Sequence, residues 1–444
     1  MLPRTALADP NNTAPLGFAL MAACARRQFS QQGEDKIKAL ARACIDWRTL
    51  LLSARRHGVK PLVYWHLHST CPEAIPQATL DELQGYFRAN SKRNLLLIRE
   101  MIRLLGLFEA HGIPVIVFKG PLLGAVAYGN LSLRSSADLD ILVRKQDFLR
   151  LKKLLLAEGY LPSSMLSRVP ERALLDFASE FVFIRPATGI ELDVHWHVLP
   201  RMISHALDDE RFWQRIEYRR LGGMQVPTVP REELLLFLCA HGSKHLWERL
   251  GWICDIAGLV GSHPLMNWTQ VLEQAEAQGR SRMLFLGLAL ARDLAGAELP
   301  SEVLVRMRTD PAVGGLAAQV REWLASDTTS NLGLRERTAF NLRVTNRSAD
   351  RVRYLSRLAV PTPGDLQLFD WPQMPPSFYY VFRPFRLLVK HGPKALAELF
   401  RSTLFRRLRS GVPAWRRGRR TDRTLCRKTI ACGCLHLARP RPLK

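Results

Sequence analysis

The hydrophobic period changes abruptly around residues 111–114, and this change decides what kind of core the middle of the chain can build. Upstream, "NLLLIREMIRLLGLFEAHG" repeats its apolar residues every three or four positions, the spacing of an amphipathic helix. His111-Gly112 stops that helix, and Pro114 cannot continue it. Downstream, "PVIVFKG" reads as a short buried strand, "PLLGAVAYGN" as a short helix opened by Pro121, and "DLDILV" as a second strand. A helix is predicted from about 146 to 158, closing at Gly159. After a helical stretch at "PERALLDF", the segments "EFVFIRP" and "IELDVHWHV" pair as a hairpin around Ala187-Thr188-Gly189. Strand, helix, strand, helix and hairpin in that order specify an α+β unit with a mixed sheet.

Helical patterns flank this unit. "WRTLLLSARRHGVKPLVYWHL" lies before it, and after it "TVPREELLLFLCAHGSKHLWERLGWICDIAGLV" opens at Thr228 or Pro230 with Glu232 and Glu233 in its first turn. The predicted organisation is an N-terminal helical region over 1–110, a core over 111–200, and a C-terminal helical domain with a Pro- and aromatic-rich linker over 201–380. A basic tail over 381–444 follows, expected to be partly disordered apart from a last helix at 393–408.

Composition narrows the class. With 444 residues, 47% hydrophobic and 23% charged, the chain can bury the cores of two or three ordinary domains without disulfide staples. No apolar run approaches the roughly 20 residues that span a bilayer, so no transmembrane segment is expected. The stretch "LGFALMAACA" lacks the positively charged approach of a signal peptide and reads as an amphipathic helix. Cysteines scattered through apolar helical patterns, as at Cys24, Cys44, Cys239 and Cys254, are the usage of a reducing compartment, so a cytoplasmic location is expected. The net charge of +24 is concentrated at the end: residues 401–444 hold fourteen Lys or Arg against a single acid, Asp422. Such a tail attracts polyanions without sequence preference, which makes weak nucleic-acid contact one expectation and a solvated tail with no partner the other.

In a strand, residues i and i+2 point to one face, so Asp138 and Asp140 project together while Leu139 and Ile141 enter the core. Paired carboxylates repel each other and call for a cation; hard oxygen ligands suit Mg²⁺, which also binds substrate phosphates. Spacing alone is weak evidence, because acid pairs at i and i+2 arise by chance. The context adds more: the pair follows a strand, a Lys119-Gly120 turn and a helix, and a third acid, Asp193, alternates with Leu192 and Val194 in another strand. That pattern predicts a three-carboxylate cluster on one sheet face, where two Mg²⁺ ions roughly 4 Å apart could drive an in-line phosphoryl displacement.

"GIPVIVFKGPLLGAVAYGNLSLRSSADLDILV" followed by "IELDVHW" resembles the DNA-polymerase-beta-like nucleotidyltransferase superfamily, in particular a poorly characterised bacterial branch. The resemblance extends through the flanking helical segments, over about residues 45–265. It implies a polymerase-beta-like core that moves a nucleoside monophosphate from an NTP to an acceptor. Position by position, it implies that Asp138 and Asp140 hold metal and nucleotide phosphates, and that Asp193 serves the catalytic metal and acceptor activation. Lys119 and Gly120 stand where the superfamily has Gly-Ser, and Arg134 and Ser136 are candidate phosphate contacts. Lys-Gly-Pro in place of Gly-Ser, and a longer gap from Gly120 to Asp138, depart from the superfamily pattern. The implied acceptor is a protein, an RNA or a small molecule.

Several histidines and cysteines lie near these candidates or in motif-like spacings. His195 and His197 share the strand face of Asp193 and could touch substrate or support a metal site, or simply be hydrogen-bonded at the sheet end. His241 and His245 stand one helical turn apart, but Gly242 sits where a zinc protease needs Glu; they are expected to face the cleft or to cap a network with Asp255. Cys426, Cys432, Cys434 and His436 do not fit paired zinc-binding Cys-x-x-Cys units, and Gly120, Gly124 and Gly129 make no dinucleotide or P-loop fingerprint. The expected function is Mg-dependent nucleotidyl transfer. Its rivals are a catalytically inactive nucleotide-binding or regulatory protein on the same fold, and a nucleic-acid-binding protein acting through the basic tail.

Overall fold

The structure, a computed structural model, describes residues 14–26, 31–43, 45–162, 175, 178–197, 210–329, 332–357, 360, 383 and 386. The expected linker beyond residue 360 and the basic tail lie outside these residues apart from Arg383 and Arg386; the helix at 393–408 lies wholly outside them, as does the helix at "PERALLDF" apart from Leu175.

Five helices come first: α1 (Ala14–Cys24), α2 (Gln31–Ala41), α3 (Trp47–Arg56), α4 (Lys60–Thr70) and the 34-residue α5 (Gln77–Ala110). Local chemistry sets their ends. Asp46 caps α3 by accepting the Thr49 backbone N–H at 3.1 Å, and Pro61 occupies the first turn of α4, where its missing N–H costs nothing. Helix α1 is more enclosed than an amphipathic surface helix: Leu20, Met21, Ala23 and Cys24 are all buried.

The sheet contains β1 (Val115–Val117), β2 (Asp138–Val143), β3 (Leu161–Pro162), β4 (Glu180–Arg185) and β5 (Ile190–His195), in the order β1-β2-β5-β4-β3. Only β2 and β5 run parallel; the other neighbours are antiparallel, so the sheet is mixed as expected. Helix α6 (Gly120–Tyr128) connects β1 to β2, and α7 (Phe148–Ala157) follows β2. One sheet face carries Leu139, Ile141, Val143, Phe181, Phe183, Leu192 and Val194, which pack with Leu104, Phe108, Leu151 and Leu155 of α5 and α7. Each fully buried side chain of this size contributes about 1.5–3 kcal/mol, enough to fix the strand register and send the alternate residues to the opposite face.

Helix α5 is tied to the sheet by charge as well. Buried Glu100 accepts from Tyr160 Oη at 2.7 Å, from Arg103 at 2.8 Å and from Arg185 at 3.0 Å.

Beyond the sheet come α8 (Glu210–Trp213) and a two-stranded hairpin, β6 (Glu217–Leu221) and β7 (Met224–Thr228). The helices α9 (Arg231–Lys244), α10 (Leu250–Ser262), α11 (Trp268–Ala277) and α12 (Ser281–Ala295) then build a second core, which the N-terminal helices α1–α4 share. Helices α13 (Ser301–Arg308), α14 (Pro311–Ser326), α15 (Leu334–Val344) and α16 (Ser348–Arg357) complete the described chain. Helix α9 opens after Pro230 with Glu232 and Glu233 in its first turn. Among the described residues no helix is long and apolar enough to cross a membrane.

Candidate active site

Because β2 and β5 are parallel neighbours, Asp140 is the register partner of Asp193 and Asp138 that of Glu191. The antiparallel hairpin places Glu180 opposite His195. Strand alternation therefore gathers Asp138, Asp140, Asp193, His195 and Glu180 on the face turned away from the apolar core. All five line a cavity of about 330 Å³, together with Lys119 and Arg134; its helical wall includes His241, Lys244, His245 and Trp252. His197, half a turn of chain beyond β5, also lines it, whereas Gly120 and Ser136 do not.

The electrostatics of this face are dominated by crowded carboxylates. Burial, then the neighbouring charges of Asp140 and Asp138, push the Asp193 carboxyl up to about 7. Asp138 is raised by burial and by Asp140. Asp140 behaves oppositely: burial works against its charge, but Lys119 and His195 outweigh burial and hold it below the usual carboxylate range. Lys119 Nζ lies 3.1 Å from Asp140 Oδ1, and its ammonium sits over the faces of Phe118 and Phe237, 5.4 and 5.3 Å from the ring centroids. Oxygens of Asp140 and Asp193 and a ring nitrogen of His195 lie within 4.8 Å of one another, a buried donor set suited to a divalent cation. Asp138 stands on the same face but outside that close group.

The loop leading into β2 is fixed from two sides. From α5, Asn90 donates to the Ser132 and Arg134 carbonyls at 2.9 and 3.1 Å, and Asn94 donates to the Leu131 and Arg134 carbonyls at 2.5 and 2.9 Å. From α10, Asp255 accepts from Arg134 Nε at 3.0 Å and from Tyr128 Oη at 2.9 Å. Arg134 Nη1 also reaches the Gly120 carbonyl at 3.0 Å and Ser136 Oγ at 3.2 Å. Arg134 thus stands in the cavity wall with much of its guanidinium engaged by the protein, and Ser136 acts as one of its anchors. Gly120 sits at φ +57° with its Cα against the Asp138 carbonyl, where a Cβ would come within 3.0 Å of that oxygen. A glycine is therefore required for the turn to approach β2 closely.

The helical wall explains a second glycine. His241 and His245 are one turn apart on α9, ring centroids 4.7 Å apart, and Trp252 of α10 packs on both at 5.0 and 5.5 Å. They face the cleft; the Asp255 carboxylate meets Tyr128 and Arg134 instead. Burial, then the charge of Lys119, pushes His241 well below its ordinary value; burial, then Lys244, takes His245 to about 4. The turn from α9 to α10 holds Leu246 and Trp247 at φ 55° and 56°, a costly conformation for non-glycine residues. The fully buried Trp247 indole occupies the space beside Gly242, where any Cβ would overlap it. Gly242, which rules out a zinc-protease motif, is thus explained by packing.

Among the cavity residues that the sequence did not single out are Glu180, Lys244 and Trp252. For Glu180 a signal existed, since the turn at Ala187-Thr188-Gly189 fixes the hairpin register and so its position opposite His195.

A mixed sheet bearing opposed carboxylates on parallel neighbours, beneath a cavity with basic side chains and a helical wall, defines a nucleotidyltransferase type of α+β core. Residues 43–296, more than half of the chain, match the family model described as "Uncharacterised nucleotidyltransferase", and the chain belongs to that family. The match takes in both the helical segments and the sheet. No curated protein matches the chain.

Proposed function

We propose that the chain is a metal-dependent nucleotidyltransferase, with its catalytic core over residues 111–200, that moves a nucleoside monophosphate from an NTP to an unidentified acceptor. The observation that carries this reading is the register pairing of Asp140 with Asp193 inside a cavity, in a chain of this family. Asp138, Asp140 and Asp193 would hold Mg²⁺ or a similar ion, and two such ions are the expected complement. When bound, the cation neutralises charge on the triphosphate and on the departing pyrophosphate.

The chain's own residues supply position and charge. Lys119, paired with Asp140, is placed to exchange that partner for a phosphate oxygen as substrate enters, and Arg134 adds positive potential beside it. Asp193 orients the acceptor hydroxyl and takes its proton as the oxygen attacks the α-phosphorus. The new acceptor O–P bond forms, the bond between the α-phosphorus and the bridging oxygen breaks, and pyrophosphate leaves. Holding both reactants in line accounts for most of the acceleration in such chemistry. A cavity of about 330 Å³ lies at the lower end of small-molecule sites, so part of the acceptor is expected to remain outside.

The test is to incubate the protein with each NTP labelled at the α- or the γ-phosphate and a cell extract. Label should pass to an acceptor from the α-position only and vanish in Asp140→Asn. Transfer from the γ-position, or transfer unchanged in the folded variant, would reject the proposal.

A further inference from the structure

We propose that His195 is itself a ligand of the metal, its Nε2 completing a set with Asp140 and Asp193, and that Glu180 is the positioning residue that presents it. This rests on the metal-dependent reading of the same site.

The argument begins with an unsatisfied atom. His195 is buried, and its Nε2 makes only a long contact, 3.5 Å to Asp140 Oδ1, too far for a hydrogen bond of good geometry. Buried polar atoms almost always have well-formed partners, so a nitrogen this loosely held beside Asp140 and Asp193 needs an explanation. The other ring nitrogen supplies it. Nδ1 lies 3.2 Å from Glu180 Oε2, and because a carboxylate can only accept, Nδ1 carries the hydrogen. A cation entering beside Asp140 would displace the Nε2 proton and take the lone pair, while Glu180 keeps a hydrogen on Nδ1, the arrangement that a carboxylate commonly enforces on metal-binding histidines.

The ring also cannot turn away easily. Phe118 packs edge-on against it, with centroids 5.2 Å apart and planes at 75°, and the hairpin register fixes Glu180 opposite His195. The nitrogen and the two carboxylate oxygens lie within 4.8 Å of one another, while ligands each about 2.0–2.3 Å from one ion are at most about 4.6 Å apart, so a small closure suffices. A mixed set of two carboxylates and an imidazole favours first-row transition ions such as Mn²⁺ over Mg²⁺, which prefers oxygen alone.

The experiment uses the full chain, Mn²⁺ as probe, and pulsed electron paramagnetic resonance, which detects nitrogen bonded to the ion. Wild type should bind Mn²⁺ with a ¹⁴N modulation that changes to the ¹⁵N pattern when the protein is grown with ¹⁵N-histidine. His195→Gln should lose the modulation and lower the preference for Mn²⁺ over Mg²⁺ about tenfold. Glu180→Ala should weaken Mn²⁺ binding about tenfold, with Glu180→Gln, whose carbonyl can still accept from Nδ1, recovering part of it. Circular dichroism identifies any variant that fails to fold, and the isotope exchange needs no variant at all. Mn²⁺ bound in an Asp140-dependent manner but without nitrogen modulation would overturn the role of His195 alone. Modulation that persists in His195→Gln would do the same, and failure of wild type to bind Mn²⁺ would overturn both this inference and the metal-dependent reading beneath it.

Discussion

Asp140 on β2 and Asp193 on β5 are register partners in the one parallel strand pair of the sheet, both turned from the apolar core into the same cavity. Their opposition is built into the fold, because Leu139, Ile141, Leu192 and Val194 alternate with them and are buried against α5 and α7. The repulsion is therefore a standing cost of the metal-free protein.

Removing it should stabilise that state. Asp193→Asn is expected to raise the thermal midpoint of the metal-free protein, because the carboxylate most crowded by Asp140 and Asp138 is neutralised. Adding Mg²⁺ or Mn²⁺ should raise the midpoint of wild type, since a ligand that binds only the folded form stabilises it, and should raise that of the variant much less. Differential scanning calorimetry with and without the ion measures both effects.

The anchor between α10 and the loop before β2 gives a second expectation. Asp255→Ala leaves the mostly buried Arg134 guanidinium without its main partner, which typically costs about 3–5 kcal/mol. Tyr128→Phe, which removes only one hydrogen bond to the same carboxylate, should cost about 1 kcal/mol. Urea unfolding of the two variants tests this order; equal losses would mean that Arg134 does not depend on Asp255.

Stability should also depend on pH through Glu100. Burial opposes its charge, but hydrogen bonds from Arg103 and Tyr160 outweigh burial and lower its pKa below the ordinary value. A lowered carboxyl pKa contributes stability above the unfolded value, about 4.3, and that contribution fades as pH falls through the folded value. Glu100→Gln should thus be less stable than wild type at pH 7 by about 1–2 kcal/mol, given that its arginine partners are partly exposed, with the gap closing in acid. Denaturant midpoints measured from pH 7 down to pH 3 would show the two converge.

Gly242→Ala tests the wall of the cavity. The added methyl must displace the Trp247 indole, whose residue already sits in a costly backbone conformation, so a loss of about 1–3 kcal/mol is expected. His241 and His245 should shift with it, visible as changes in their imidazole resonances in NMR spectra.

Much of this site could be read in the sequence because its residues lie on strands, where a period of two assigns faces directly. Asp138, Asp140 and Asp193 follow from that rule, whereas Lys119 comes only from the resemblance to the nucleotidyltransferases. Arg134 was less legible: its pairing with Asp255 joins residues from a loop and a distant helix, and only packing of α6 against α10 brings them together. The hairpin β6–β7 is hard to read although Gly222-Gly223 sits between "EYRRL" and "MQVPT", since those strands are short and half exposed. Helix α1 was expected to be amphipathic, but local pattern cannot reveal that neighbouring helices cover most of its surface.

The central claim is that Asp140 and Asp193 together hold a divalent cation. Crystals soaked in Mn²⁺ and measured near the manganese absorption edge test it most directly. The account expects an anomalous peak bonded to oxygens of both side chains, and none there in Asp140→Asn. An empty space between them at saturating Mn²⁺, or a peak held elsewhere without either carboxylate, would contradict it.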